Sequence, residues 1–237
     1  SRWLQDYEAG IPHITAGAEA TIAWADGETV QDYCFLYIHG FSATRRETAP
    51  LTERIANEFG GNVIYARLAG HGLEQHAMEA PAEEWLRSTQ ISWDIAKQIG
   101  RKVIIIATST GAPLALWLNQ VNDGSQPAGY IFLSPNFKIR SPFRSLLTWP
   151  WAATWIPFLL GKEHAWEPEN ELAARFWTHR YSTLAIIEMQ KVVDWVRSAN
   201  IKTKNIPLTT IYMNGDPTID HEAAIAFHQQ WDASYKQ

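Results

Sequence analysis

The chain has 237 residues, 46% of them hydrophobic, which suits one α/β domain with a sizeable core and a modest insertion. Its formal charge is −5 and it carries no basic run, which argues against nucleic acid as the main partner. No stretch approaches the roughly 18 consecutive apolar residues of a membrane-spanning helix, and no secretory signal stands at the front, so a cytoplasmic setting is favoured and an already removed signal peptide stays open.

Residues 1–20 are mixed, with Gly10, Pro12 and Gly17 breaking any period. A first strand is predicted over 21–25, ended by the turn signal Asp26-Gly27. The next covers 33–38. It buries Cys34, the single cysteine, which excludes an intrachain disulfide, leaves the redox compartment open and reads as an inert core thiol. It ends in His39-Gly40-Phe41-Ser42. Residues 45–59 read as a helix with Leu51, Ile55 and Phe59 on one face, Pro50 kinking or breaking it, and Gly60-Gly61 closing it. A third strand over 62–66 runs into Arg67-Leu68-Ala69-Gly70-His71-Gly72. Residues 82–99 give a helix with Trp85, Leu86, Ile91 and Ile95 as its apolar positions.

The stretch 102–118, KVIIIATSTGAPLALWL, organises the rest. Val103 to Ile106 is apolar on both faces, as a buried strand of a parallel sheet requires. After Ser109 the sequence turns at once into a buried helix, with Pro113 tolerated only in its first turn. Such a strand–serine–helix turn is the geometry of a nucleophile elbow. Ala107 and Gly111 flank the serine by two positions each way, where the two backbones nearly touch. The first of the elbow's two glycines is alanine here, still a small residue. An ordinary turn with a serine cap is the bland alternative.

A further strand over 129–133 ends in Ser134-Pro135-Asn136. Strands alternating with helices imply a mostly parallel, doubly wound sheet, in which ligands bind beyond the strands' carboxyl ends. The glycine loops, Ser109 and Ser134 all fall there. Residues 137–204 break the alternation, with no convincing strand, a dense tryptophan-rich apolar segment and helices near 169–180 and 183–199. They are expected to form a helical lid inserted after the strand ending near Leu133, the core being 1–136 and 205–237. Plain helical packing is the alternative. A lid would line an acyl-chain pocket and could touch a lipid surface. The last strand, 207–213, leads to Asp216 and Asp220, and 221–231 is a terminal helix with Ala224, Ile225, Phe227, His228 and Trp231 at helical spacing.

A serine hydroxyl needs a base, an orienting carboxylate and N–H donors for the oxyanion. Ser109 is the candidate nucleophile. Asp216 is the candidate carboxylate, though aspartate between Gly215 and Pro217 is also turn chemistry. Asp220 is the fallback acid, or only a helix cap. The backbone N–H groups of Phe41 and Thr110 are the candidate oxyanion donors.

His39-Gly40-Phe41-Ser42, Arg67 to Gly72, Ser109 in A-x-S-x-G and Asp216 in D-P-T-I-D appear in this order over residues 33–220. In these features the sequence resembles an α/β-hydrolase of the lidded lysophospholipase, monoacylglycerol-lipase and carboxylesterase-like group. The resemblance implies an eight-stranded sheet, hydrolysis of small-molecule esters through an acyl-enzyme, and no metal or organic cofactor. It also implies a histidine after the acid, in the order serine, acid, histidine. That histidine is expected beyond Gln237, with His221 as the substitute within the chain. His228 lies further along the same helix. His39 and His71 belong to the glycine loops and shape backbone. His13, His76, His164 and His179 have no supporting context. Two rivals follow: a hydrolase-fold protein that binds a small apolar ligand without turnover, and a thioesterase.

Overall fold

The computed structural model describes residues 1–74, 78–121, 124–199, 201 and 205–237. Six strands form one sheet: β1 (Thr21–Ala23), β2 (Gln31–Ile38), β3 (Asn62–Tyr65), β4 (Gly100–Thr108), β5 (Gly129–Leu133) and β8 (Leu208–Ile211). Their order is β1-β3-β2-β4-β5-β8, with β1 antiparallel and every other pairing parallel. The resemblance implies an eight-stranded sheet; among the described residues six strands pair in it. Beyond β8 there is a parallel bridge to Lys236, reinforced by the bond from Gln237 N–H to the Leu208 carbonyl at 3.0 Å.

The apolar runs of β2, β3 and β4 are continuous because both sheet faces are covered. Leu36, Ile38, Ile64, Ile105 and Ala107 join the larger core, while Phe35, Tyr37, Val63, Tyr65 and Ile106 point into a second core on the other face. The register aligns the carboxyl ends: Ile38 faces Ala107, Thr108 faces Leu133, and Leu133 faces Ile211. The loops after β2, β4, β5 and β8 therefore open on one edge.

The elements differ from the sequence expectation in four places. Helix α1 (Arg2–Ala9) forms where no period was legible, held by buried Leu4 and by Glu8, whose carboxylate lies 2.7 Å from the Arg67 guanidinium in a fully buried pair. Pro50 does break the next segment, into a 3-10 turn (Arg45–Thr48) and α2 (Leu51–Glu58). Its buried face is Thr52 and Ala56, whereas Leu51 and Phe59 are exposed. Helix α3 (Ala82–Ile99) has the expected bounds but buries Trp85, Thr89, Ser92, Trp93 and Ala96. Thr89 and Ser92 donate to carbonyls one turn back, at 2.8 and 2.9 Å, so their hydroxyls are satisfied without water. The fourth difference is a small antiparallel sheet inside 137–204, β6 (Glu163–Ala165), exposed throughout, with β7 (Arg180–Ser182), each only three residues long and too short to show a strand period.

Helix α4 (Gly111–Val121) follows β4, and α8 (His221–Gln230) follows β8. The segment between β5 and β8 has two parts. Helices α5 (Ala152–Leu160) and α6 (Glu171–Phe176) lie outside the main core. Helix α7 (Thr183–Ser198) contributes Met189, Val192 and Val196 to it and packs on α4. It is the crossover helix between two parallel strands, a position every such connection must fill. No helix among the described residues is long and apolar enough to cross a membrane.

Candidate active site

Ser109 sits between β4 and α4 with φ at +48°, left-handed backbone that a non-glycine residue adopts only where its surroundings enforce it. Here they do. Its N–H donates to the Leu133 carbonyl at 2.9 Å, and its own carbonyl accepts from Ala112 N–H at 3.1 Å and Asn136 N–H at 3.0 Å. A Cβ at Gly111 would stand 2.3 Å from the Ile38 carbonyl oxygen, so only glycine lets α4 start this close to β2. Ala107 is fully buried. The serine itself is half-buried and therefore reachable.

The loop after β2 crosses directly above. A Cβ on Gly40 would meet the Cβ of Ser109 at 3.1 Å and a Glu47 carboxylate oxygen at 2.9 Å. The backbone N–H groups of Phe41 and Thr110 have no protein acceptor among the described residues. Ser42 and Ser134, at the same sheet edge, also have positive φ. Three left-handed serines at one edge mark a place where the backbone is held against its preference.

The two loop histidines are structural. His39 is fully buried; its Nδ1–H donates to the Gly40 carbonyl at 2.9 Å and its Nε2 accepts from Leu68 N–H at 3.2 Å, which assigns the neutral tautomer. Burial lowers its pKa to about 4. The His71 ring lies 5.1 Å from it, and burial pushes His71 well below the usual histidine range.

Asp216 follows β8 in a turn, half-buried. Its Oδ1 accepts from Thr218 N–H at 2.8 Å and Ile219 N–H at 3.1 Å, so it does shape its own loop. That loop is strapped to the segment after β5 by the Ile139–Ile219 bridge, and Arg140 donates to the Asp216 carbonyl at 3.1 Å. Asp220 is engaged elsewhere: it pairs with Lys138, whose hydrogen bond lowers its pKa, and it accepts from Glu222 N–H as the cap of α8.

His221 stacks on Tyr212 and lies 3.5 Å from Glu222; His228 Nδ1 meets the Thr210 hydroxyl at 2.9 Å. His164 packs on Tyr181 and His179 on Trp166. The His13 carbonyl accepts from Glu74 N–H, and His76 lies outside the described residues. None of these contacts is with Ser109 or the Asp216 carboxylate.

Four residues at the site were not legible in the sequence. Glu47 and Tyr37 lie under the Gly40 loop. Asn136 is buried, with its Nδ2 3.3 Å from the Thr110 hydroxyl and its Oδ1 unpartnered. Met189 of α7 places its sulfur 3.7 Å from the same Nδ2. Only Asn136 had a signal, its place just after a strand end. From the insertion, Thr178 N–H donates to the Ser42 carbonyl at 2.7 Å, and the Tyr181 and Phe41 rings meet edge to face at 5.1 Å.

No curated protein matches the chain. Among solved structures it is similar to that of the metagenome-derived lipolytic enzymes LipS and LipT, with a TM-score of 0.74 and 17% identity over 94% of this chain and 87% of that one. It is also similar to a soluble variant of monoglyceride lipase from Saccharomyces cerevisiae in complex with a substrate analog (TM-score 0.64, 12% identity, 92% and 80% covered). A third is the monoacylglycerol lipase of Paleococcus ferrophilus (0.63, 16%, 92% and 86%). At these identities the likeness is one of fold. The sequence profile of the alpha/beta hydrolase family matches residues 35–236, from the strand before the glycine loop to the bridge beside β8. With the parallel sheet and the elbow in place, the chain belongs to the alpha/beta hydrolase family.

Proposed function

We propose that the protein is a serine hydrolase of small carboxylic esters with an apolar acyl group, working through an acyl-enzyme. The observation that carries this is Ser109, left-handed and half-buried at a strand–helix turn, beside two backbone N–H groups with no protein acceptor among the described residues. Ser109 Oγ attacks the ester carbonyl, and Phe41 N–H and Thr110 N–H hold the oxyanion. Asp216 orients the histidine that takes the serine proton and returns it to the leaving alcohol. Strands β4 and β8 flank β5, so their axes stand roughly 10 Å apart, a gap suited to an imidazole between serine and acid. Within this chain His221 is the candidate for that histidine. The lipase and esterase activities in the names of the structural neighbours, and the substrate analog in one, support the ester class. The apolar side chains of 137–204 that reach Phe41, Tyr181 among them, support an apolar acyl pocket.

A fluorophosphonate probe read by mass spectrometry tests the nucleophile. Labelling at Ser109, together with p-nitrophenyl ester turnover falling by a factor of at least about 10³ in Ser109→Ala, is expected. Labelling that survives the substitution refutes the assignment. A second reading, ligand binding without turnover, is favoured by the partners of His39, His71 and His228, which are Gly40, Ala69 and Thr210 and not Ser109. It requires that the natural protein bind apolar esters and leave them uncleaved.

A further inference from the structure

Glu47 stands where no surface role explains it. It lies in the 3-10 turn after the Gly40 loop, and its Oε2 accepts from Gly40 N–H at 2.8 Å and from the Tyr37 hydroxyl at 3.0 Å. The Tyr37 hydroxyl also meets the Thr108 hydroxyl at 3.1 Å, on the residue just before the candidate nucleophile. One carboxylate therefore grips both halves of the proposed oxyanion site. Through Gly40 it holds the loop that carries Phe41 N–H. Through Tyr37 and Thr108 it reaches the elbow that carries Ser109 and Thr110 N–H. Gly40 must be glycine for this, since a Cβ there would strike the carboxylate.

We propose that Glu47 is a positioning residue of the active site, setting the separation and aim of the Phe41 and Thr110 N–H groups through Gly40 and Tyr37. This rests on the serine-hydrolase reading. A charged acceptor holds an N–H more tightly and at shorter range than a neutral one. Losing it frees the loop to tilt, and an oxyanion donor displaced by a few tenths of an ångström stabilises the transition state less while leaving ground-state binding almost untouched.

The surroundings leave the carboxyl free to titrate. Burial raises its pKa from the usual carboxylate value to about 7, against the lowering by its two hydrogen bonds. Tyr37, on β2, is the ionisable group in hydrogen-bond contact, and burial holds its phenol protonated well above the usual range. His39, next along the same loop, stays neutral. Arg45 and Arg46, adjacent in the turn, face away: Arg45 towards Glu19 and the Tyr65 ring, Arg46 towards the Gly17 carbonyl and the Phe176 ring. On α2, Glu53 acts electrostatically on Tyr65 and Arg45.

Two measurements on the natural protein test the proposal. The first follows the Gly40 and Phe41 amide protons by NMR across pH 5–9. Both should titrate together near pH 7 in the wild type and stop doing so in Glu47→Gln. Amides that ignore both pH and the substitution overturn the proposal. The second is steady-state ester hydrolysis. Glu47→Ala should lower kcat about 10- to 100-fold with KM within about threefold. Glu47→Gln, whose amide oxygen still accepts from Gly40 N–H, should recover part of the loss. A kcat equal to wild type in both variants overturns positioning while leaving the hydrolase reading intact. A wild type with no Ser109-dependent turnover sinks the hydrolase reading instead, and the amide titration then still decides whether Glu47 governs the loop.

Discussion

The carboxyl of Glu47 ties stability to pH with a definite sign. Its folded pKa, about 7, lies above the ordinary carboxylate value of 4.5. Between those values the native state binds more protons than the unfolded chain, so stability falls as pH rises through the window and the full penalty is present above about 7. Removing the charge should therefore stabilise only at high pH. Glu47→Gln should match wild type near pH 4.5 and exceed it by about 1–3 kcal/mol at pH 8, partial exposure reducing the effect. Denaturant titrations at both values check this; an identical difference between the two proteins at pH 4.5 and 8 would count against a raised pKa. A gain in stability with a loss in rate is the expected trade at a functional site. At the same scale, turn residues such as Asp216 were visible in sequence because glycine and proline around an aspartate have few local conformations. Glu47 was not, because its neighbours Tyr37 and Thr108 are distant along the chain.

At the scale of elements, the contact between α4 and β2 is the tightest point near the site. The atoms nearest a Cβ on Gly111 are backbone, the Ile38 carbonyl at 2.3 Å and the His39 carbonyl at 2.9 Å, so nothing there can swing aside. Gly111→Ala should cost about 3 kcal/mol or prevent folding. A midpoint of urea unfolding unchanged from wild type would show that helix and strand are not so close. The elbow was legible because its steric demands act on neighbours in sequence: small residues beside the serine and a β-branched run before it. Helix faces were less legible. In α3 the buried positions include Thr89 and Ser92, whose hydroxyls find carbonyls within the helix, so polarity alone misplaced the face. Helix α1 showed no apolar stripe because one of its two buried side chains is Glu8, and the Arg67 that neutralises it belongs to the loop after β3.

Across the whole molecule, the insertion between β5 and β8 divides by how each part is buried. Helix α7 belongs to the core, whereas Trp151, Phe158 and Leu160 are 82%, 88% and 71% exposed. Ile156 alone of the large side chains in α5 is fully buried, packing with Ala152 and Ile187. Replacing Phe158 and Leu160 together by serine should change unfolding free energy by no more than about 0.5 kcal/mol, since neither packs against the fold. A much larger loss in thermal or denaturant unfolding would mean that something covers them in solution.

The amino-acid sequence by itself determined the alternation of strands and helices, the strand that precedes Ser109, the glycine loops and the order serine then acid. Each depends on residues within a turn or two of one another, where sterics and hydrophobic period act directly. The tertiary structure decided which faces are buried, that α7 is a crossover helix, and that Glu47, Tyr37 and Thr108 meet beneath Gly40. Those depend on strand register and crossover connections, which bring distant segments to one sheet edge and leave no trace in local pattern.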